Sequence, residues 1–278
     1  MYNFRSFDFA VTHFLRIFAS MLTKTEALVL HAIKYGEQKL IVDMFTRTHG
    51  RLSFVVSLSK GGRGRIKKQY FQPLTHLSIE CDLLPQRQLQ KLTDVAIATP
   101  LSTLLYDPSK LSISLFLSEF LYHALKGEQQ NEPLFDYVIS SILWLDGRER
   151  DFANFHLVFL MHLSRFLGFY PNLDRSPLEV GAQVSSLSTP SSLPAIYFDL
   201  RSATFCSQPP VHRDFLMPEE ASQLLLMMRM DFPTMHLFRM SRRQRQRCVE
   251  VALLYYRLHL PDFPDLRSLS ILRELYEE

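Results

Sequence analysis

Cysteine is scarce in this chain: Cys81, Cys206 and Cys248 are the only three in 278 residues. They are widely spaced and odd in number, which fits neither a disulfide framework nor a zinc-ligand pattern. That usage favours a reducing, intracellular setting, so a cytoplasmic location is expected. Long apolar runs are missing as well. No stretch reaches the roughly 18 residues that a membrane span requires, and no membrane role is expected. The segment Met1–Ser20 is interrupted by Arg5, Asp8 and Arg16. It lacks the continuous apolar region and small-residue cleavage site of a signal peptide, and reads as an extension ahead of a strand pattern that begins after Met21. Catalytic signatures are missing too: there is no His-Glu-x-x-His, no nucleophile elbow and no Cys-x-x-Cys. His156 and His162 lie six residues apart, on different faces of any helix, and His162 reads as a core histidine rather than a ligand. The acidic residues are scattered, with no close pair suited to two-metal chemistry. The expectation is a binding protein, with no catalytic residues, no cofactor and no metal.

The most informative absence is local. From Met44 to Ile79 there is no Asp or Glu. Residues 21–100 hold 12 Lys/Arg against 6 Asp/Glu, whereas residues 101–278 hold 17 against 21. A basic first part joined to a mildly acidic second part concentrates polyanion contact in the first. Within the acid-free stretch lies Lys60-Gly61-Gly62-Arg63-Gly64-Arg65-Ile66-Lys67-Lys68, five cations in nine residues. The glycines allow a flexible loop whose backbone N–H groups can approach phosphates. Lys60, Arg63, Arg65, Lys67 and Lys68 are therefore the candidate nucleic-acid contacts, with Arg47 and Arg51 assisting. Phe54, Tyr70 and Phe71 flank the loop and could stack on unpaired bases; Phe54, on the apolar face of its strand, reads as core. The Gly-Gly-x-Gly pattern has no Gly-Lys-Ser/Thr and no helix after it, so it is weak evidence for a nucleotide site.

Around this loop the sequence reads as short strands. Leu52, Phe54, Val56 and Leu58 alternate with Arg51, Ser53 and Ser57, and Leu77, Ile79 and Cys81 alternate with His76, Ser78 and Glu80. Ala27–Ile33 and Lys39–Phe45 are apolar runs separated by the turn signal Tyr35-Gly36-Glu37, and Leu89–Ala98 supplies a fifth strand. Five strands in about 75 residues suggest a closed barrel of the oligonucleotide-binding (OB) type over 21–100, though an SH3-like barrel fits the pattern nearly as well. The pattern changes at Pro100. Pro108 opens a helix carrying Ile113, Leu117, Phe120, Leu121 and Ala124, stopped by Gly127. Phe135, Ile139, Ile142 and Leu143 repeat the spacing, as do Phe155, Phe159, His162, Leu163 and Phe166, and the three helices read as a bundle. A Ser/Pro-rich loop and a small hairpin are inserted near 174–210. Helices resume at Pro218–Arg229, Ser241–His259 and Leu269–Tyr276. The fold class is thus α+β, a five-stranded OB-type barrel followed by an all-helical domain over 101–278.

A second cationic cluster, Arg239-Met240-Ser241-Arg242-Arg243-Gln244-Arg245-Gln246-Arg247, sits at a helix start, where Ser241 and Gln244 match a capping box. Cations in a first turn oppose the helix dipole. Their presence points to an anionic partner, DNA or an acidic peptide tail, and a solvated face accounts for them equally well.

These stretches together resemble the RecO family of recombination mediators. The resemblance is carried by Thr25-Glu26-Ala27-Leu28-Val29-Leu30 followed by Tyr35-Gly36-Glu37, by Phe45-Thr46-Arg47 with His49-Gly50-Arg51, and by Gln72-Pro73-Leu74. In the C-terminal half it is carried by Met235-His236-Leu237-Phe238, by Met240-Ser241-Arg242 and by Leu258-His259-Leu260-Pro261-Asp262-Phe263-Pro264. It covers Met21 to the C-terminus. The resemblance implies binding of single- and double-stranded DNA, annealing of complementary strands, and partnership with RecR in loading RecA onto DNA coated by single-stranded-DNA-binding protein. It implies contact with that protein's acidic tail, for which Arg239, Arg242 and Arg243 are the candidates, and a nucleoid-associated place in the cytoplasm. Many members carry a four-cysteine zinc module; only Cys206 lies in the corresponding region, so the metal is not carried over. Loop chemistry alone does not separate DNA from RNA, and the alternative is an RNA-binding or translation-associated barrel protein with a helical partner-docking domain. A metal-dependent nuclease and a purely structural scaffold are the remaining classes.

Overall fold

The computed structural model describes residues 21–58, 66–84, 86–172 and 196–274. Five strands form a closed barrel: β1 (Met21–Tyr35), β2 (Lys39–Thr46), β3 (Gly50–Ser57), β4 (His76–Leu83) and β5 (Leu89–Thr99). They run in the order β1-β2-β3-β5-β4. Closure comes from a short parallel pairing of Ser53–Val55 with Leu89–Lys91. That order is the OB arrangement, and it resolves the choice against an SH3-like barrel. β1 is longer than the apolar run Ala27–Ile33 because it serves two partners. Its first half pairs with β4 and its second with β2. The two pairings overlap at Ala27 and Leu28, just before a register shift between Val29 and His31, and a bulge of this kind gives a strand the bend that a small barrel requires. Leu30, skipped by the ladder, has its carbonyl satisfied by the Ser118 hydroxyl at 2.5 Å.

The inward residues of the alternating strands fill the barrel. Val42, Phe54, Val56, Leu77 and Ile79 are fully buried, and Phe71 from the 3-10 turn Lys68–Phe71 plugs the end. Two helices follow, α1 (Pro108–Ala124) and α2 (Glu132–Asp146). Asp107 caps α1, accepting hydrogen bonds from the Ser109 and Lys110 amides, the arrangement expected of an N-cap followed by Pro. Ile113, Leu117, Phe120, Leu121 and Ala124 are buried as their spacing demands, as are Phe135, Ile139 and Ile142 in α2, but Leu143 is 36% exposed.

Packing divides the chain into two compact units, one ending at Asp146 and one beginning at Gly147. The first two helices therefore group with the barrel, although the secondary structure changes type at Pro100. The second unit contains α3 (Phe155–Phe166), strands β6 (Tyr197–Asp199), β7 (Thr204–Cys206) and β8 (Phe215–Leu216), then α4 (Pro218–Arg229), α5 (Arg242–His259) and α6 (Leu269–Glu274). The inserted hairpin gains a third strand, in the order β7-β6-β8. Among the α3 histidines it is His156 that is fully buried, while His162 is only half-buried. Burial, with the nearby Arg245 cation, pushes His156 down to about 3.

Candidate nucleic-acid interface

Lys60, Arg63 and Arg65 of the cationic loop lie outside the described residues. Its last members do not. Lys67 and Lys68 are both exposed at the entry to the 3-10 turn Lys68–Phe71. With Lys34 from the end of β1 they border a groove of about 780 Å³. Its floor is apolar: Ala32, Leu40, Leu58, Ile66 and Phe71. Among the described residues none of the three lysines makes an ion pair and no carboxylate lines the groove. The base of the loop is held in place by the Leu58 amide, which donates to the Gln38 carbonyl at 2.7 Å. The β1–β2 turn and the end of β3 are therefore held side by side. Lys34 was not among the sequence candidates. It sits outside the cation run, and only the barrel closure brings it to Lys67 and Lys68.

The two arginines expected to assist have partners within the protein. Arg47 Nε donates to Glu26 at 2.9 Å, and its Nη1 lies 2.7 Å from Asp136. The Arg47 guanidinium also lies 4.9 Å from the centre of the Phe135 ring. Arg51 Nη1 donates to the Tyr122 carbonyl at 2.5 Å, and its guanidinium lies 4.2 Å from the centre of the Tyr122 ring. Arg51 Nη2 is 3.6 Å from Asp43, with the arginine side chain only 13% exposed. The acid-free stretch is thus acid-free only along the chain, because Glu26, Asp43 and Asp136 from other elements compensate these two charges. Gly50, between them, shows why the local backbone is so constrained. Its φ is +68°, and a Cβ there would meet the Glu128 carbonyl oxygen at 2.3 Å. His76 lies beside this network, its Nε2 3.8 Å from Glu26. Burial lowers its pKa against the pull of the Glu26 carboxylate.

The flanking aromatics are likewise occupied. Phe54 is fully buried, as expected of its strand face, but Phe71 is only 4% exposed, and Tyr70 is half-buried and packed on the same core. Phe71 is the buried residue of this turn, and as the plug of the barrel end it presents no free stacking face.

In the second unit the capping box forms as read: Ser241 accepts from the Gln244 amide, and Gln244 accepts from the Ser241 amide. The cation cluster then divides by position. Arg247 lies 2.6 Å from Glu220 and 3.5 Å from Glu250, and Arg245 Nε donates to Asn154 at 3.0 Å. Arg239, Arg242 and Arg243 are exposed and make no ion pair among the described residues. Arg242 and Arg243 border a cavity of about 370 Å³ with Val249, Leu269 and Leu272 among its lining, and Arg239 borders another of about 420 Å³. Among the described residues no group of three or more His, Cys, Asp or Glu is placed to hold a metal ion, and no helix is long and apolar enough to cross a membrane.

Comparison with known proteins agrees with this architecture. Residues 21–101 match the family model described as Recombination protein O N terminal, and residues 105–269 match Recombination protein O C terminal. The chain is 47% identical over 256 residues to the DNA repair protein RecO of Phocaeicola vulgatus, covering 92% of this chain and 100% of that protein. It is 46% identical over 258 residues to the DNA repair protein RecO of Bacteroides fragilis, again covering 92% and 100%. A more distant relative is the DNA repair protein RecO of Porphyromonas gingivalis, at 32% over 259 residues with the same coverage. With an OB-type barrel at one end and helices after it, matched along both parts, the chain belongs to the RecO family of DNA repair proteins.

Proposed function

We propose that this protein binds single- and double-stranded DNA through Lys60, Arg63, Arg65, Lys67 and Lys68, joined by Lys34, and that it promotes annealing of complementary strands. The observation that carries this reading is the exposed lysine trio at the groove, without carboxylate partners among the described residues, two of the three adjoining in sequence a segment with three more cations. Cations not neutralised from within are available to phosphates, and each phosphate contact releases counterions. Screening the repulsion between two strands lets pairing proceed without ATP, so the role is passive and electrostatic rather than catalytic. Arg47 and Arg51 serve the fold in this account, because their charges are already met. In the second unit, Arg239, Arg242 and Arg243 beside part-apolar cavities suit an acidic peptide, such as the tail of single-stranded-DNA-binding protein. With RecR as partner, the protein would help load RecA onto coated DNA in the cytoplasm.

The test is strand annealing on complementary oligonucleotides, with wild type and with the Lys67→Ala/Lys68→Ala variant. Acceleration by the wild type and its loss in the variant are expected. Loss of two phosphate contacts should also flatten the plot of log K against log salt by about 1.4 on single strands. No acceleration over the spontaneous rate with wild-type protein would remove the mechanism.

A further inference from the structure

The groove beside Lys34, Lys67 and Lys68 has one wall that charge does not account for, an open strand edge. β1 pairs with β4 as far as Leu28. The last bonds on that side join the Val29 amide to the Thr75 carbonyl at 3.0 Å and the Leu74 amide to the Val29 carbonyl at 2.9 Å. There the chain ahead of β4 turns away. Leu74 holds a φ of +60°, and Pro73 before it has no N–H to give to a ladder. Leu30 then meets Ser118, and His31 lies against the Tyr122 ring at 4.8 Å, so α1 flanks the next two residues of β1. Ala32, Ile33, Lys34 and Tyr35 remain, paired with β2 on one side. Alternate residues of an antiparallel strand turn their N–H and C=O away from the partner. Among the described residues nothing meets those groups here. At about 3.4 Å per residue the open edge is about 14 Å long.

The rest of the groove fits an extended peptide. On its floor Leu40 and Phe71 are buried and Leu58 and Ile66 half-buried. Strand side chains alternate, so every second residue of an added strand would face that floor. Gln69 and Gln72 also line the groove and are exposed, and a Gln amide both donates and accepts. A strand edge likewise offers donors and acceptors in alternation. A sugar-phosphate chain brings phosphate acceptors and leaves the edge carbonyls unmet, whereas a second peptide strand satisfies both. Charge then chooses among peptides. Lys34 stands on the edge itself with Lys67 and Lys68 across the groove, and among the described residues none makes an ion pair. A lysine on an open edge opposes pairing with a second copy of the same edge, and it favours a strand that carries carboxylates.

We infer that the edge Ala32–Tyr35 takes up an extended acidic segment of another protein as an added strand. Apolar side chains of that segment lie on Leu40, Leu58 and Phe71, and its carboxylates reach Lys34, Lys67 and Lys68. Main-chain hydrogen bonds supply affinity in such an addition, and the alternate side chains supply specificity. Unlike the arginine cluster of the second unit, this site reads backbone as well as charge, and it has no need of a free chain end. Lys67 and Lys68 are also proposed above to hold DNA, so an added strand competes with DNA for them. That consequence alone rests on the DNA-binding reading.

The experiment uses the full chain and a fluorescent octapeptide of alternating valine and glutamate, with binding read by anisotropy. Two analogues carry N-methyl groups, one on the valine amides and one on the glutamate amides. Their charge and side chains are alike, but each has lost the donors along one edge only. One analogue is expected to bind about 10-fold or more weakly while the other stays within about twofold of the parent. Lys34→Glu should weaken the parent peptide by about 3-fold or more. Backbone amides within Ala32–Tyr35 should exchange hydrogen more slowly when the peptide is bound. Equal effects of the two methylations, or protection confined to residues outside 32–35, would mean attraction by charge alone and overturn the inference. Absence of peptide binding by a chain that binds a single-stranded oligonucleotide would overturn it too, with the DNA-binding reading intact. Bound peptide that excess oligonucleotide fails to displace would instead overturn the placement of DNA on Lys67 and Lys68 and leave the added strand standing.

Discussion

Arg51 offers a sharp separation between fold and function. In a purely sequence-based view it is one more cation in a basic stretch, and its loss should weaken DNA binding. In the structure its side chain is only 13% exposed. It donates to the Tyr122 carbonyl at 2.5 Å and faces the Tyr122 ring at 4.2 Å. Replacing it with alanine removes a hydrogen bond from a charged donor, worth about 1.5–3 kcal/mol. It also removes a ring contact worth about 0.5–2 kcal/mol. The two overlap on one residue, so the combined loss in Arg51→Ala is about 2–4 kcal/mol. Urea denaturation followed by far-UV circular dichroism measures that loss, and titration of single-stranded DNA at several salt concentrations measures the other side. The expected outcome is a lower midpoint with the salt slope of the folded protein unchanged, the reverse of Lys67→Ala/Lys68→Ala. A variant as stable as wild type within about 0.5 kcal/mol, but with a flattened salt slope, would refute the assignment of Arg51 to the fold.

Gly50→Ala should be among the most damaging single-methyl changes in the chain, because it meets both a positive φ and the Glu128 carbonyl at 2.3 Å; a loss above about 3 kcal/mol is expected by urea denaturation. Gly36→Ala, at φ +69° but with nothing within 4 Å, should cost only about 1–2 kcal/mol in the same measurement. Asp146 makes stability pH-dependent. Burial would raise its pKa, but the Ser102, Thr103 and Leu104 amides and the Ser102 hydroxyl hold it down to about 2. Its contribution is therefore present above pH 4 and lost as pH falls through 2. Asp146→Asn should flatten the stability profile across that window by about 2 kcal/mol, and an undiminished slope in the variant would show that other carboxylates carry the acid sensitivity.

Much of this molecule is written locally. The period-two runs Leu52–Leu58 and Leu77–Cys81 specify strands with one buried face, and the periodic runs after Pro108 and Pro133 specify helices with one buried stripe. Ser241 and Gln244 announce a helix start by a reciprocal pair of hydrogen bonds three residues apart. Alternation, helical period and caps depend on neighbours within a few positions, so they can be read without knowing the fold. The cation run ending at Lys67 and Lys68 was equally legible as a run of charge.

What tertiary structure alone decided was which of these charges and rings are available. Arg47 and Arg51 meet Glu26, Asp136 and Asp43, residues up to 89 positions away. Phe71 is drawn into the plug of the barrel, whereas Lys34, Tyr35 and Lys39 reach the surface beside the cationic segment because β1 bends and changes partners. Sequence by itself determined the elements, the barrel-then-helix order and the place of the positive charge. Which cations and rings have partners within the protein was settled only by closure of the barrel, because burial and Coulomb compensation depend on distance through space, which one chain position does not encode.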